Sequence, residues 1–579
     1  MQLKTNYSVG ETPLCEYPRP QLKRDSYLCL NGAWNFTKVK KDCNNYSFSQ
    51  KIIVPFSPET ENSGIGNGFR LGLDEKLVYE REVELSSEFL KDITLLHFGA
   101  VDQACQVFFN GEKVAEHIGG FTPFTADITK FVKAGKNILR VECVDGTENT
   151  AFCRGKQSST PGQIWYTAQS GIWQTVWIES VVKGYISDLS ITTKIQPKSV
   201  EISTGEQSKK KITVYDGENA IIEREFDGES VAIEYPFELW SPENPKLYDF
   251  TIESETGDKI SSYFGVRSFG VGKDEKGIAR LLFNGKPYFF NGILDQGYWP
   301  DGLLTYPSEQ AIVDELSCLK AMGFTMIRKH IKVEPLRWYY HCDKLGLTVW
   351  QDFVSGGGKY SFWHVAAFPF LGFKHKDNDY KYFAREDEKG REEFLSTAEE
   401  TVQTLKNCTC ISAWVPFNEG WGQFDSAKVT AWLKEKDNSR IIDSVSGWHD
   451  QGVGKTELKS LHTYYTPLKV PKDTRPVVLS EFGGYSMQTD GHIFNPDKEF
   501  GYKKFKDEHS LCNALKKLYL EKLKPLIRKG LCACVYTQVS DVEEEINGLF
   551  TYDRKVIKVP VAVMKTINDQ IQAEADTIK

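Results

Sequence analysis

One apolar run with a polar tip constrains the fold of this chain more than any other feature. Residues 410–417 are mostly apolar and end in Asn418 and Glu419, which a glycine and a tryptophan follow. The pattern is typical of a buried strand of a parallel sheet whose C-terminal end carries polar side chains into a crevice. Residues 475–484 repeat the pattern, with an apolar run that ends at Glu481 and is followed by glycines.

Two strands of this kind predict a (β/α)8 barrel with both carboxylates on its C-terminal face, where residues at strand tips usually carry the chemistry. From residue 273 the sequence alternates between strand and helix patterns. The predicted strands cover 287–292, 324–328, 347–350, the run before Asn418, 440–444, 458–462, 477–480 and 531–536. The predicted helices cover 308–322, 334–345 and 391–406, and residues 352–385 form a long insertion after the third strand.

The part of the chain before the barrel reads as β structure. Asn-Gly turns precede or join aromatic strands at residues 31–32 and 110–111. Many further short segments up to residue 182 alternate between apolar and polar residues, as strands do. We therefore predict a jelly-roll sandwich over residues 1–182 and a smaller, immunoglobulin-like sandwich over 183–272. The barrel then occupies residues 273–579. A chain of 579 residues is too long for one core, which agrees with three domains.

Composition excludes several classes of function. The net charge is −8 and no basic residues cluster, so nucleic acid and anionic membrane surfaces are not expected partners. No apolar run has membrane-spanning length, and the N-terminus lacks the apolar core of a signal peptide. The 13 cysteines are scattered without zinc-ligand spacing. Reduced cysteines and no signal peptide predict a cytoplasmic protein.

Several short motifs, weak singly but strong in their order and spacing, resemble family 2 of the glycoside hydrolases, which includes β-galactosidases, β-glucuronidases and β-mannosidases. The resemblance covers nearly the whole chain, and its motifs lie at residues 17–21, 30–34, 170–174, 240–242, 264–267, 418–420 and 480–483. The family's architecture is a sugar-binding jelly roll, an immunoglobulin-like domain and a TIM barrel, as predicted above. The resemblance implies an exo-acting glycosidase that takes an oligosaccharide or glycoside as substrate.

The resemblance implies that Glu419 is the acid/base and Glu481 the nucleophile of a double displacement that retains configuration. Cleavage needs a proton on the leaving oxygen and electron density at the anomeric carbon, which two carboxyl groups in opposite protonation states supply. Such a pair lies about 5–5.5 Å apart, closer than in inverting enzymes. Nearby aromatic residues could raise the pKa of Glu419. An isolated strand-tip glutamate could instead be a structural charge.

The resemblance also implies a set of substrate contacts. Asn418 would bind the sugar 2-hydroxyl, and Tyr464 would donate a hydrogen bond to the nucleophile unless it is a core aromatic. Arg328 would position Glu481 or form a structural ion pair. The further expected contacts are His330 on the second strand, Tyr536 as an aromatic platform near the tip of the eighth strand, and Trp448.

Two departures from the family pattern bear on the sugar. Gln163 or Trp165 stands where many relatives have a sugar-binding aspartate. Asn547 begins an Asn-Gly-Leu segment, whereas β-glucuronidases have an Asn-x-Lys pair that binds the sugar carboxylate. A uronic acid buried without a cation would be costly, so we predict a neutral, galactose-like β-hexoside. The alternatives are a β-glucuronidase, a β-mannosidase, or a carbohydrate-binding protein without catalysis.

No cofactor is predicted to be required. Asp352 lies where β-galactosidases have a magnesium-associated acidic residue, but the usual following histidine is absent. A lone aspartate is a poor magnesium site, so Mg²⁺ or Na⁺ is the weaker alternative. Homo-oligomers are common in this family, and loops of a second subunit could shape the site.

Overall fold

The computed structural model describes residues 3–48, 50–66, 68–361 and 363–578. In these ranges, buried apolar side chains form one core in each of two N-terminal β units and a larger core in the C-terminal unit. The predicted classes are confirmed: a jelly-roll sandwich, an immunoglobulin-like sandwich and a (β/α)8 barrel. The boundaries at residues 182 and 272 stay predictions.

The first unit is a sandwich of two antiparallel sheets. The predicted Asn110-Gly111 hairpin is confirmed, with φ of +51° and +92° at the two turn residues, as a tight two-residue turn requires. The four-stranded sheet has the order Leu28–Cys29, Val176–Val181, Ile93–Phe98 and Phe124–Asp127. The six-stranded sheet has the order Gln50–Val54, Gly32–Lys40, Glu75–Leu85, Gly135–Val144, Ala104–Phe109 and Glu112–Ile118. Short pairs join Val101–Asp102 to Gly171–Ile172 and Gln157–Ser158 to Tyr166–Thr167.

The second unit is built around one long hairpin. Its strands are Ser190–Ile195, Lys198–Asp216, Asn219–Glu234, Tyr248–Ser254 and Lys259–Phe264. The hairpin formed by the second and third strands has an interrupted register between Ser203 and Ser208. One end of it pairs with the first strand and the other end with the fourth. Exposed charged residues along the third strand obscure the apolar alternation that would mark it in the sequence.

A small three-stranded sheet precedes the barrel and corrects one predicted boundary. Its strands are Phe269–Lys273, Ala279–Phe283 and Lys286–Pro287. We predicted that residues 287–292 form the first barrel strand, but Pro287 pairs with Leu282 in this small sheet. Proline cannot donate to a ladder and belongs at a sheet edge, so the barrel strand begins only at Phe290.

The barrel strands occur close to the predicted positions. They are β1 (Phe290–Asp295), β2 (Met326–Lys329), β3 (Thr348–Asp352), β4 (Ile411–Val415), β5 (Ile441–Ile442), β6 (Lys459–Thr463), β7 (Val477–Gly483) and β8 (Leu531–Thr537). They form one parallel sheet in the order β5-β4-β3-β2-β1-β8-β7-β6. The C-terminal ends of all eight strands therefore lie at one end of the barrel. A separate short pair joins Tyr485–Met487 to Lys503–Phe505.

The longer helices cover the outside of the barrel. They are α1 (Glu309–Ala321), α2 (Leu336–Leu345), α3 (Glu388–Leu405), α4 (Ser426–Lys436), α5 (Glu508–Lys516) and α6 (Val561–Ala575). Short helical segments cover Pro20–Leu22, Thr147–Asn149, Trp363–Ala367, Phe368–Phe370, Lys517–Leu523 and Lys524–Ile527. Helix α1 is capped by Ser308, whose side chain accepts a hydrogen bond from the Ala311 N–H, and it buries Ile312, Leu316 and Leu319.

The jelly roll reaches over the C-terminal end of the barrel through residues 153–167. Cys153 forms a β-bridge with Gly356, and the N–H groups of Arg154 and Gly155 donate to the Ser355 carbonyl at 2.9 and 3.0 Å. Ser355 and Gly356 lie in the predicted insertion after β3. These backbone contacts place side chains of the first unit against the mouth of the barrel.

Candidate active site

Glu419 is held in a strained turn just after β4. Its φ is +49°, in the left-handed region, where a residue with a Cβ loses about 1–2 kcal/mol relative to the right-handed form. The turn is fixed because the Glu419 N–H donates to the Ser446 carbonyl at 3.0 Å and the Trp421 N–H donates to the Asn418 carbonyl at 2.9 Å. Strain of this kind is common at functional sites, and here it accompanies a carboxyl group that is only 7% exposed.

Glu481 lies within β7 and faces Glu419. It is 5% exposed, and one oxygen of each carboxyl group lies within 4.8 Å of the other. This spacing fits the gap of about 5–5.5 Å typical of retaining glycosidases and not the inverting gap of about 6.5–9.5 Å. The two strand tips predicted from the sequence thus bring their carboxyl groups next to each other.

Glu481 receives hydrogen bonds on both oxygens. Arg328 Nη1 donates to Oε1 at 3.1 Å, and the Tyr464 hydroxyl donates to Oε2. Burial by itself raises the pKa of Glu481, but the charges of His462 and Arg328 and the Tyr464 hydrogen bond outweigh it, so the pKa lies below its ordinary value. The carboxylate is therefore kept ionised.

Arg328 ties together four strands of the barrel. Its guanidinium donates to both oxygens of Asp352 at 2.9 Å and to Asn418 Oδ1 at 2.7 Å, in addition to Glu481. The side chain is fully buried. A bidentate pair of this kind fixes orientation as well as charge. Arg328 thus makes the contacts that both predicted roles require, one with Glu481 and one with Asp352, and the roles themselves stay predictions.

Glu419 has the opposite electrostatic environment. Burial raises the pKa of its carboxyl group, and the negative charge of Glu481 raises it further, while a hydrogen bond with His462 opposes both. The net direction is upward, so Glu419 retains its proton to a higher pH than an ordinary glutamate. The pKa values of these two carboxyl groups, whose oxygens lie within 4.8 Å, are therefore shifted in opposite directions because their neighbours differ.

His462 on β6 lies between the two carboxyl groups, and sequence reasoning missed it. Its Nδ1 is 2.7 Å from Glu419 Oε1, and its Nε2 is 3.6 Å from Glu481 Oε1 and 3.0 Å from Ser446 Oγ. A signal was available: Tyr464 was predicted at the site, and residues two apart on a strand face the same side.

Three other predicted residues line the site. His330 Nδ1 is 2.8 Å from Asp352 Oδ2, and the His330 ring is 6.2 Å from the Trp421 ring. Trp165 packs against Trp421 at 5.2 Å, which brings the jelly roll into the wall of the site. Trp448 is half-buried, with its ring 6.4 Å from that of His462.

Tyr536 does not lie at the site, which corrects the predicted platform. Its ring is 1% exposed and packs against Phe482 and Tyr519 among the core side chains. The next residue, Thr537, faces the site instead, with Oγ1 3.2 Å from the Tyr464 hydroxyl. A one-residue error along a strand moves the side chain to the opposite face.

Asn547 and Gln163 also differ from the prediction. Asn547 is completely buried, its Oδ1 accepts from Gln538 Nε2 at 2.8 Å, and its Nδ2 donates to Glu545 at 3.0 Å, so it supports the site from behind. Gln163 is exposed, and its backbone N–H donates to Glu544. The structure therefore places neither residue as a direct sugar contact. Both lie in loops, where the position of a motif does not fix the direction of a side chain.

Lys156 is the second residue that sequence reasoning missed. Its ammonium lies 4.4 Å from the centre of the Trp421 ring, 5.5 Å from that of Trp165 and 5.8 Å from that of Tyr166. The residue is 4% exposed, and Glu545, Glu419 and Glu481 are the negative charges that act on it. No local pattern reveals it, because it reaches the site only through the contact between jelly roll and barrel.

The residues present do not fit a metal ion at Asp352. Both of its oxygens accept from Arg328, and Oδ2 also lies 2.8 Å from His330 Nδ1. A hard cation needs several open oxygen ligands, which this carboxylate does not offer. Asp352 is instead the group that orients Arg328 and His330.

Models of known families match along the chain. The model described as "Glycosyl hydrolases family 2, sugar binding domain" matches residues 67–179, and that described as "Glycosyl hydrolases family 2" matches 174–267. The family's TIM barrel domain matches residues 276–572, more than half of the chain. The chain belongs to family 2 of the glycosyl hydrolases. Among its described residues, no helix has both the length and the apolar character to cross a membrane.

Curated relatives of this family 2 chain carry two activities in their names. A putative beta-glucuronidase of Formosa agariphila is 26% identical over 72% of this chain and 51% of its own length. A beta-galactosidase of Leuconostoc mesenteroides is 24% identical over 70% of this chain and 40% of its own. The human beta-glucuronidase is 23% identical over 67% and 62%. The chain thus spans about half the length of the curated relatives it matches.

Solved structures share the fold over the whole chain. The beta-D-glucuronidase of Dictyoglomus thermophilum superposes with a TM-score of 0.73 at 19% identity, covering 96% of this chain and 98% of that one. A family 2 beta-galacturonidase of Eisenbergiella tayi bound to galacturonate superposes with a TM-score of 0.68 at 18% identity, covering 98% and 99%. At such identities the likeness establishes the three-domain fold.

Proposed function

We propose that this protein is an exo-acting, retaining β-glycosidase that hydrolyses terminal, non-reducing β-linked sugars. The observation that carries the proposal is the pair Glu419 and Glu481, two buried carboxyl groups with oxygens within 4.8 Å and pKa values shifted in opposite directions. One proton donor and one ionised nucleophile across a sugar-sized gap are the parts that a double displacement needs.

In the first step the Glu481 carboxylate attacks the anomeric carbon while Glu419 gives its proton to the leaving glycosidic oxygen. The bond between the anomeric carbon and the aglycone oxygen breaks, and an ester to Glu481 forms. In the second step Glu419, now ionised, takes a proton from water, and the water oxygen attacks the anomeric carbon. The ester breaks, Glu481 is restored as a carboxylate, and Glu419 is protonated again.

The environment of Glu419 suits this change of role. Its pKa is raised in part by the negative charge of Glu481. Esterification removes that charge, so the pKa of Glu419 falls in the intermediate, when Glu419 must act as a base. The same residue is thereby biased toward acid in the first step and toward base in the second.

Asn418 is suited to bind the sugar beside the nucleophile. Its Oδ1 accepts from Arg328 Nη2 at 2.7 Å, and its Nδ2 is buried without a partner among the residues that the structure describes. A buried unsatisfied donor costs free energy, and a substrate hydroxyl would relieve this cost. This supports the predicted contact with the 2-hydroxyl.

The identity of the sugar rests on fewer observations. The prediction of a galactose-like sugar came from the missing lysine after Asn547, and relatives named as beta-galactosidases and beta-glucuronidases both match the chain. β-Mannosides remain a further alternative. We also propose a cytoplasmic location, which the absence of disulfides among the 13 cysteines supports.

The test is a panel of p-nitrophenyl β-glycosides assayed with the wild type and Glu481→Ala, with the first-formed anomer followed by proton NMR. We expect turnover by the wild type, loss of turnover in the variant, and the β-anomer as first product. Equal rates for both proteins, or an α-anomer, would contradict the proposal. Binding of saccharides without hydrolysis would support the non-catalytic alternative.

A further inference from the structure

The backbone that carries Lys156 is locked onto the barrel. The Gly155 N–H donates to the Ser355 carbonyl at 3.0 Å, and the Tyr166 N–H donates to the Lys156 carbonyl at 3.0 Å. Gly155 has a φ of +65°, and a Cβ at this position would lie 2.9 Å from the Ile331 carbonyl oxygen, so the segment passes very close to the barrel. The lysine is therefore placed by a rigid contact between two domains.

Its ammonium is buried without a bonded counter-ion. Among the described parts of the chain, no carboxylate lies within ion-pair distance of Lys156, and its close neighbours are the rings of Trp421, Trp165 and Tyr166. Lysine is almost never buried to this degree unless it is paired. Cation–π contacts offset part of the cost of burial, and that burial lowers the pKa of Lys156.

The carboxylates that face Lys156 already have other donors. Glu545 accepts from the Tyr166 hydroxyl and from Asn547 Nδ2. Glu481 accepts from Arg328 and Tyr464, and Glu419 pairs with His462. The protein thus satisfies each of these acids elsewhere and leaves the lysine as an unsatisfied cation beside the two glutamates.

We propose that Lys156 binds the carboxylate of a sugar acid, so that the preferred substrate is a β-linked hexuronide. This inference rests on the proposed glycosidase function and names its substrate class. Sequence reasoning disfavoured a uronic acid because no lysine follows Asn547. The structure supplies a cation from the jelly roll instead, and it replaces the neutral, galactose-like expectation with an anionic sugar.

The experiment compares p-nitrophenyl β-D-glucuronide and β-D-galacturonide with the matching β-D-glucoside and β-D-galactoside. The variants are Lys156→Met, which removes the charge at similar length, and Lys156→Arg, which keeps it. Lys359→Met, at an exposed lysine of the insertion, is the matched control. We expect the wild type to prefer a uronide, Lys156→Met to lower the ratio of uronide to neutral kcat/KM about 100-fold, and Lys156→Arg to retain part of it. The control leaves the ratio unchanged.

Two outcomes overturn the inference. In the first, the wild type prefers the neutral glycosides. In the second, Lys156→Met lowers kcat/KM equally for uronides and neutral glycosides, so that their ratio stays within about threefold of the wild-type ratio, which indicates a general electrostatic role. Circular dichroism and the melting temperature establish that the variants fold.

A calorimetric arm separates this inference from the proposed function. Free D-glucuronate and D-galacturonate are titrated into the wild type and Lys156→Met. If the wild type binds these sugar acids and Lys156→Met does not, the inference is supported even when no glycoside is hydrolysed. In that case only the proposed function fails. Absence of binding to the wild type overturns the inference, and hydrolysis of neutral glycosides alone leaves the proposed function intact.

Discussion

The tips of β4 and β7 carry the same residue and are built differently. Glu481 lies within β7, where the register with β6 and β8 is irregular, and its two oxygens accept hydrogen bonds from Arg328 and Tyr464. Glu419 lies in a left-handed turn, and its one observed side-chain contact of this kind, among the described residues, is with His462. A nucleophile must be fixed and ionised, whereas an acid/base must exchange protons and be only lightly held. In the proposed mechanism the two roles therefore follow from the neighbours of each glutamate and not from residue type.

Removal of Glu481 tests the stronger half of this comparison. We expect Glu481→Ala to lower kcat/KM at least about 10,000-fold, because a residue that forms the covalent intermediate has no substitute. Azide should restore turnover of an activated glycoside and yield the α-glycosyl azide, since it attacks from the side that Glu481 vacates. With Glu419→Ala the same anion should yield the β-azide. Identical anomers from both variants would remove the distinction between the two sites.

Replacement of Glu419 tests the other half. Glu419→Gln cannot donate a proton, so we expect kcat/KM to fall about 100- to 10,000-fold for a substrate with a poor leaving group. For a dinitrophenyl glycoside, whose leaving group needs no proton, the rate of the first step should fall much less. In the wild type, kcat/KM falls at high pH as Glu419 loses its proton, at a pKa above the ordinary glutamate value. The variant should lack this alkaline limb. A pH profile that keeps the limb would assign it to another group.

Tyr464→Phe sharpens the account of Glu481. The hydroxyl donates to the carboxylate and helps lower its pKa, so its removal raises that pKa. Because catalysis needs the ionised form, the acid limb of the profile moves to higher pH. We expect a loss of about tenfold at neutral pH, the cost of one charge-assisted hydrogen bond. An acid limb that stays in place would show that Tyr464 does not tune the nucleophile.

His462→Asn should have the smallest effect on rate and the most distinctive effect on pH dependence. His462 lowers the pKa of Glu419 through a hydrogen bond and that of Glu481 through its charge. Its loss therefore raises both pKa values, and both limbs move to higher pH together. A change of a few-fold at the optimum is expected. Limbs that move in opposite directions would contradict the bridging role.

Much of the barrel and the positions of Glu419 and Glu481 could be predicted because the signals are local. Apolar runs that end in glutamate mark strand tips, and the parallel topology brings such tips to one end of the barrel. The strand-tip pattern also marks Asn418, whereas Tyr464 and Arg328 were predicted from the family resemblance. Each of the three contacts Glu481 or a residue that supports it.

Other parts of the site could not be predicted because they depend on register or on contacts between domains. Tyr536 and Thr537 differ by one position, and a run of apolar residues does not show which of them faces the cavity. Lys156 lies far from the barrel in sequence and enters the site only because residues 153–155 contact Ser355 and Gly356. No spacing rule connects such segments.

Covalent trapping tests the central claim most directly. The protein is incubated with 2-deoxy-2-fluoro-β-glycosyl fluorides of the uronic and neutral sugars, and the labelled peptide is sequenced by mass spectrometry. Because the 2-fluoro substituent slows both steps while the good fluoride leaving group accelerates the first, the intermediate should accumulate as an ester on Glu481. Label on Glu419 or on any other residue, or turnover of the reagents with inverted configuration, would contradict the division of roles between the two glutamates.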